Sequence, residues 1–262
     1  MQHSPSRAGP GADGDYIIET QGLTKEFRGF VAVRDVSLKV KRHTIHALIG
    51  PNGAGKTTFF NLLTKFLIPT SGAITFNGAD VTRTAPADMA ELGMVRSFQI
   101  SSVFPHLTVL ENVRVALQRP LGVSFHFWSP KSNLFHLHER ADELIEWVGL
   151  KPYRDVNAGE LSYGRKRALE LATTLALEPE MLLLDEPMAG LGHEDVNRIS
   201  ALIKRVAAGR TVLMVEHNLS VVADLSDTIT VLTRGSVLAE GDYATVSSNP
   251  AVREAYIGGV HE

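Results

Sequence analysis

Apolar residues fall along this chain in two kinds of run. The first kind is short and continuous: Ile45, Ala47, Leu48 and Ile49, then Met181–Leu184, Thr211–Val215 and Ile229–Leu232. Runs of that length predict buried strands. Tyr16–Thr20 and Val36–Val40 are alternating and β-branched, and predict strands as well. So do Ala73–Phe76, followed by an Asn77-Gly78 turn, and Met94–Phe98. The second kind recurs at helical spacing and predicts helices over Lys56–Phe66, Pro86–Leu92, Glu194–Ala208 and Leu219–Leu225. From Thr108 to Leu177 the pattern is mostly helical. Strands alternating with helices imply an α/β fold with a mostly parallel sheet core. N-terminal antiparallel strands precede that core, and the helical stretch, about 100–178, is an inserted subdomain. Met1–Asp15 is rich in Gly, Pro and Ser without an apolar core, and reads as a disordered leader to a domain spanning 16–262.

A length of 262 residues suits one large domain or a domain with a subdomain. No cysteine is present, which excludes disulfides, thiolate metal sites and a cysteine nucleophile. The formal net charge is −3 and basic residues are scattered, so no nucleic-acid partner is expected. The short basic run Arg165–Arg167 reads as a solvated helix face. No stretch approaches the ~20 apolar residues that cross a bilayer, so a membrane role requires membrane-embedded partners.

Chemistry enters at Gly50-Pro51-Asn52-Gly53-Ala54-Gly55-Lys56-Thr57, which follows an apolar strand and opens a helix. This is the P-loop pattern. Backbone N–H groups can surround phosphate oxygens only where side chains do not block them, and glycines at 50, 53 and 55 meet that need. The helix beginning near Gly55 points its positive end at the anion. Lys56 reaches the β- and γ-phosphates, Thr57 offers its hydroxyl to Mg²⁺, and Thr58 contacts an α-phosphate.

A second feature is the strand Met181–Leu184 ending in Asp185 and Glu186. A buried strand delivers its last residues to the sheet edge where ligands bind. Asp185 is the candidate Mg²⁺ ligand, through water, and Glu186 the candidate general base for an attacking water.

Leu161-Ser162-Tyr163-Gly164-Arg165 resembles the signature of ATP-binding-cassette (ABC) proteins, usually Leu-Ser-Gly-Gly-Gln, with departures at Tyr163 and Arg165. Ser162 and Gly164 open a helix running to about Leu177, whose N–H groups and hydroxyl can face a γ-phosphate. In that family the phosphate belongs to the other subunit of a head-to-tail dimer. The resemblance implies further roles. Gln99 corresponds to the glutamine that contacts Mg²⁺ and the water, and His217 to the histidine that contacts the γ-phosphate. Phe27 fits the aromatic that stacks on adenine, with Phe30 as its rival. After Ala189-Gly190-Leu191 the family often has an acid or amide, and here stands Gly192.

Val95–Gln99, Phe104–Val113 and the stretch from Asn249 to Gly258 resemble one branch, the ATP-binding subunits of branched-chain and hydrophobic amino acid importers. The resemblance implies a P-loop NTPase fold and an ATPase using ATP and Mg²⁺. It implies a second cassette, identical or different, two transmembrane permease subunits and an external solute-binding protein. The place of work is then the cytoplasmic face of the inner membrane, as a peripheral subunit. The alternative is a soluble ABC ATPase not coupled to transport, but such proteins usually carry two cassettes or a long coiled-coil insertion, and neither is visible. Retention of Lys56, Glu186 and His217 argues against a non-catalytic nucleotide sensor. An aromatic cluster, Phe125, Phe127, Trp128 and Phe135, fits two readings: a satellite core, or a groove for a membrane partner.

Overall fold

A computed structural model describes residues 14–97, 103–118 and 131–257. The leader, Gln99 and the aromatic cluster lie outside the described residues, save the last part of the leader and the backbone at Phe135. The chain divides into two compact units: 1–94 with 226–262, and 95–225.

The first unit begins with β1 (Tyr16–Phe27), β2 (Phe30–Val36) and β3 (Lys39–Lys41), all antiparallel to one another where they pair. The expected strand Val36–Val40 is therefore split. Thr20 explains the split: its hydroxyl donates to the Val36 carbonyl and accepts the Leu38 N–H, which draws the chain out of simple ladder geometry. β4 (Ile45–Ile49) is buried at every position. Helix α1 (Lys56–Leu63) stops short of the expected Phe66. There the Thr64 hydroxyl donates back to the Phe60 carbonyl and Lys65 takes φ 64°, a left-handed conformation that ends a helix. β5 (Ser71–Phe76) pairs with β1 and with β6 (Ala79–Asp80), giving the order β2-β1-β5-β6 with β3 also on β1. Helix α2 (Pro86–Glu91) has proline in its first turn, where a missing N–H costs nothing.

The second unit takes up β7 (Met94–Ser97) at its start, then α3 (Val109–Gln118), α4 (Lys131–Trp147) and α5 (Tyr163–Leu175). β8 (Met181–Asp185), α6 (His193–Ala207), β9 (Thr211–Val215) and α7 (Leu219–Leu225) complete it. β8 and β9 run parallel with Asp185 beside Val215, and every residue of both strands is buried. Their continuous apolar runs are what a strand covered on both faces requires. Helix α6 carries Glu194 and Asp195 in its first turn and Lys204 and Arg205 in its last, which suits the helix dipole.

Arg167 corrects the sequence reading. It is not on a solvated face but buried, and its guanidinium pairs with Glu170 at 2.8 Å. Position 167 falls on the inward side of α5, beside Ala168 and Leu171, where a cation survives only with a partner.

The chain then returns to the first unit with β10 (Thr228–Thr233) and β11 (Ser236–Gly241), an antiparallel pair, β10 also running parallel to β4. Helices α8 (Tyr243–Ser248) and α9 (Pro250–Ile257) close it. The Asp242 side chain caps α8 by accepting the Thr245 N–H at 2.8 Å.

Candidate active site

In the first unit, the loop from Gly50 to Gly55 joins β4 to α1. Gly50 has φ 150°, and a Cβ there would stand 2.2 Å from the Leu232 carbonyl oxygen on β10. The loop can turn there only because residue 50 has no side chain. Lys56 is buried, and its ammonium donates to the carbonyls of Gly50 (2.7 Å) and Pro51 (3.0 Å). The cation is thereby held over the loop by its own backbone. Pro51, Asn52, Gly53, Ala54 and Gly55 complete the turn, with Asn52 and Gly53 exposed and Ala54 buried. Thr57 is exposed and Thr58 half-buried, both in the first turn of α1. Tyr256 on α9 is also tied to this loop. Burial pushes its phenol up to about 12, with the Gly50 backbone N–H pulling the other way.

Phe27 and Phe30 face each other across the β1–β2 pairing, at 41% and 67% exposure. Lys25 lies over the Phe27 ring, its nitrogen 5.1 Å from the centroid. Both rings are accessible.

In the second unit, Asp185 ends β8 buried, and its carboxylate is ion-paired with Arg96 of β7. Glu186 follows at φ 48°, a left-handed conformation that non-glycine residues seldom adopt. That turn takes its side chain off the strand, and its Oε1 lies 3.1 Å from Nε2 of His217. The buried Glu216, which the sequence reading missed, organises the neighbourhood. Its carboxylate accepts N–H groups from Met188, His217 and Asn218. The available signal was an acid directly after the apolar run Thr211–Val215, in the same position relative to β9 as Glu186 holds to β8.

Ser162 is exposed at the N-cap of α5, and its hydroxyl makes no cap bond to its own helix. Gly164 is buried beneath Asp195 of α6, whose carboxylate would stand 2.2–2.4 Å from any Cβ added there. Tyr163 lies against Gly190, and its hydroxyl accepts from Arg167 at 3.0 Å. Asp185, Glu186 and His217 thus converge at the ends of β8 and β9, while Ser162 and Gly164 mark the start of α5. Among the described residues, no group of three or more His, Cys, Asp or Glu side chains could hold a metal unaided. Asp185 offers a single buried carboxylate, and Mg²⁺ is ordinarily held by one or two carboxylates together with substrate phosphates.

The ABC transporter family model matches residues 33–189. The chain belongs to the ABC transporter family. Residues 236–262 also match the model described as branched-chain amino acid ATP-binding cassette transporter. The high-affinity branched-chain amino acid transport ATP-binding protein BraF of Pseudomonas aeruginosa is 39% identical over 249 residues, covering 92% of this chain and 98% of BraF. LivG of Escherichia coli, likewise a high-affinity branched-chain amino acid transport ATP-binding protein, is 36% identical at the same two coverages. A crystal structure of a nucleotide-free ATP-binding cassette from an ABC transporter superposes with TM-score 0.81 at 32% identity, covering 93% of this chain and 99% of that one. The fold is therefore that of the ABC cassette, and the chain is the ATP-hydrolysing component of an ABC transporter. None of these relatives favours an ABC ATPase uncoupled from transport. No described helix is long and apolar enough to cross a membrane.

Proposed function

We propose that this cassette powers import of branched-chain or other amino acids, and that the sequence-predicted residues carry its ATPase chemistry. Gly50–Gly55 and Lys56 bind the phosphates of ATP, Thr58 adds an α-phosphate contact, and Phe27 takes the adenine. Thr57, Asp185 and Gln99 would hold Mg²⁺. When bound, that ion neutralises charge on the phosphate oxygens. Glu186 polarises the water that attacks the γ-phosphorus, and His217 contacts the γ-phosphate and steadies Glu186. Ser162 and Gly164 serve the γ-phosphate of a second cassette, identical or different. Two transmembrane permease subunits and an external solute-binding protein complete the transporter, with this chain peripheral on the cytoplasmic face of the inner membrane. The helices Val109–Gln118, Lys131–Trp147 and Tyr163–Leu175 belong to a helical subdomain of about 100–178 that would meet the permeases.

One observation carries the hydrolytic assignment: the 3.1 Å contact between Glu186 and His217 at the ends of two buried parallel strands. An acid and a histidine in contact there form a pair able to accept a proton from water. The test is amino acid uptake in cells lacking the chain. Leucine uptake should return with the wild-type chain and not with Lys56→Ala. Restoration by Lys56→Ala would overturn the phosphate-binding assignment. Equal leucine uptake with and without the chain would remove leucine from the proposed cargo.

A further inference from the structure

Glu216 is 3% exposed, and its two carboxylate oxygens serve two different loops. Oε1 accepts the Met188 N–H at 2.9 Å, in the loop that follows Glu186. Oε2 accepts the His217 N–H at 3.0 Å and the Asn218 N–H at 3.2 Å, in the loop that follows β9. One loop carries Glu186 and the other carries His217. The loop after β8 leaves its strand in a conformation that non-glycine residues seldom adopt. Glu186 stands at φ 48°, and its N–H donates to the Val215 carbonyl while its own carbonyl accepts from Ala189. A carboxylate that accepts three backbone N–H groups is a directional fixture in a buried setting.

We propose that Glu216 is a positioning residue for ATP hydrolysis, one oxygen fixing the Glu186 loop and the other fixing the His217 loop. The consequence is the Glu186–His217 contact itself. Neither side chain lies on the paired strands: Glu186 stands one residue past Asp185, and His217 two residues past Val215. The chemistry explains why an acid is needed at 216. A glutamine offers one accepting oxygen and one N–H₂, so one loop would face a donor where it needs an acceptor. An aspartate keeps both oxygens but is one methylene shorter, so it cannot reach both loops at once.

The proposal rests on the assignment of Glu186 and His217 above, so the experiment tests the two separately. ATP turnover would be measured in the assembled transporter carrying Glu216→Gln, Glu216→Asp, His217→Ala, Glu186→Gln and the double variant Glu216→Gln/His217→Ala. Glu216→Gln should lower kcat about ten- to a hundred-fold with KM for ATP nearly unchanged, since the phosphate loop is untouched. The double variant should lose less than the product of the two single losses, because the part of the Glu216 effect that passes through His217 is already gone in His217→Ala. Amide exchange at Met188 and His217 should rise in both Glu216 variants. Additive losses in the double variant would mark a general structural role and overturn the proposal. Wild-type kcat in Glu216→Gln beside an inactive Glu186→Gln would overturn it and leave the ATPase assignment standing. Full turnover in Glu186→Gln would overturn both.

Discussion

Nε2 of His217 and Oε1 of Glu186 stand 3.1 Å apart at the ends of strands β9 and β8. Glu186 is partly exposed and holds a left-handed backbone, so its carboxylate projects out of the sheet to an edge that water can reach. Glu186→Gln keeps the shape and removes the basic oxygen. ATP binding should persist while hydrolysis slows by roughly 10²–10⁴-fold, the usual worth of a general base. Phosphate release from the assembled transporter, beside nucleotide binding by calorimetry, checks both halves. Turnover near that of the wild type would remove Glu186 from the base role.

Gly50 and Gly53 make a contrast within one loop. Both have positive φ, 150° and 76°, but only at Gly50 would a Cβ strike backbone, the Leu232 carbonyl at 2.2 Å. Gly53 has nothing within 4 Å of that position. Gly50→Ala should therefore displace the loop from β10, weaken ATP binding and destabilise the chain by about 1–3 kcal/mol. Gly53→Ala carries the conformational penalty without the collision, so its stability loss should be smaller. Urea denaturation of the two variants side by side gives the order, and an equal loss would contradict the steric argument.

The buried pair Arg167–Glu170 stands under the signature turn, with Arg167 also donating to the Tyr163 hydroxyl. Taking away one partner leaves a charge in an apolar setting. Glu170→Leu alone should cost about 3–5 kcal/mol. Arg167→Met with Glu170→Leu removes both charges and should restore most of that stability. The double variant should still lose ATPase activity, because Tyr163 no longer has its donor and its ring lies against Gly190 in the loop after Glu186. Thermal melts and turnover on the same samples separate the two effects. A double variant as unstable as the single one would show that packing, not charge, sets the cost.

Much of this was legible in the sequence because periodicity and glycine placement report local constraints. The run Ile45 to Ile49 and the strand Thr211–Val215 match their observed elements, since a strand covered on both faces leaves little choice of residue. The P-loop was legible for a different reason: its chemistry forbids side chains at fixed spacing. Features decided by distant partners were not legible. Arg167 looks like its neighbours Arg165 and Lys166 in a one-dimensional pattern, and only the packing of α5 makes it the buried one. Glu216 is an acid beside a histidine, and its importance appears only when three N–H groups from two loops are seen to meet it. The Arg96 partner of Asp185 is likewise 89 residues away along the chain.

His46 sets how the fold should respond to acid. It lies on β4, 1% exposed, with Nε2 2.7 Å from the Thr230 hydroxyl oxygen. That hydroxyl donates its single proton to Glu240 at 2.6 Å. It can then only accept from the imidazole, so Nε2 of His46 carries a proton. Burial pushes the imidazole from 6.5 down to about 4. Above pH 6.5 both folded and unfolded chains hold this group neutral, and its contribution to stability is fully present. As pH falls from there towards 4, the unfolded chain takes up a proton that the folded chain refuses, and stability drains away. The whole loss is on the order of 3 kcal/mol. His46→Gln keeps an N–H donor for Thr230 and removes the titration. Urea midpoints measured from pH 7 to pH 4 should fall less steeply for this variant than for the wild type. Parallel curves would show that the acid sensitivity of the fold lies in its carboxylates and not in His46.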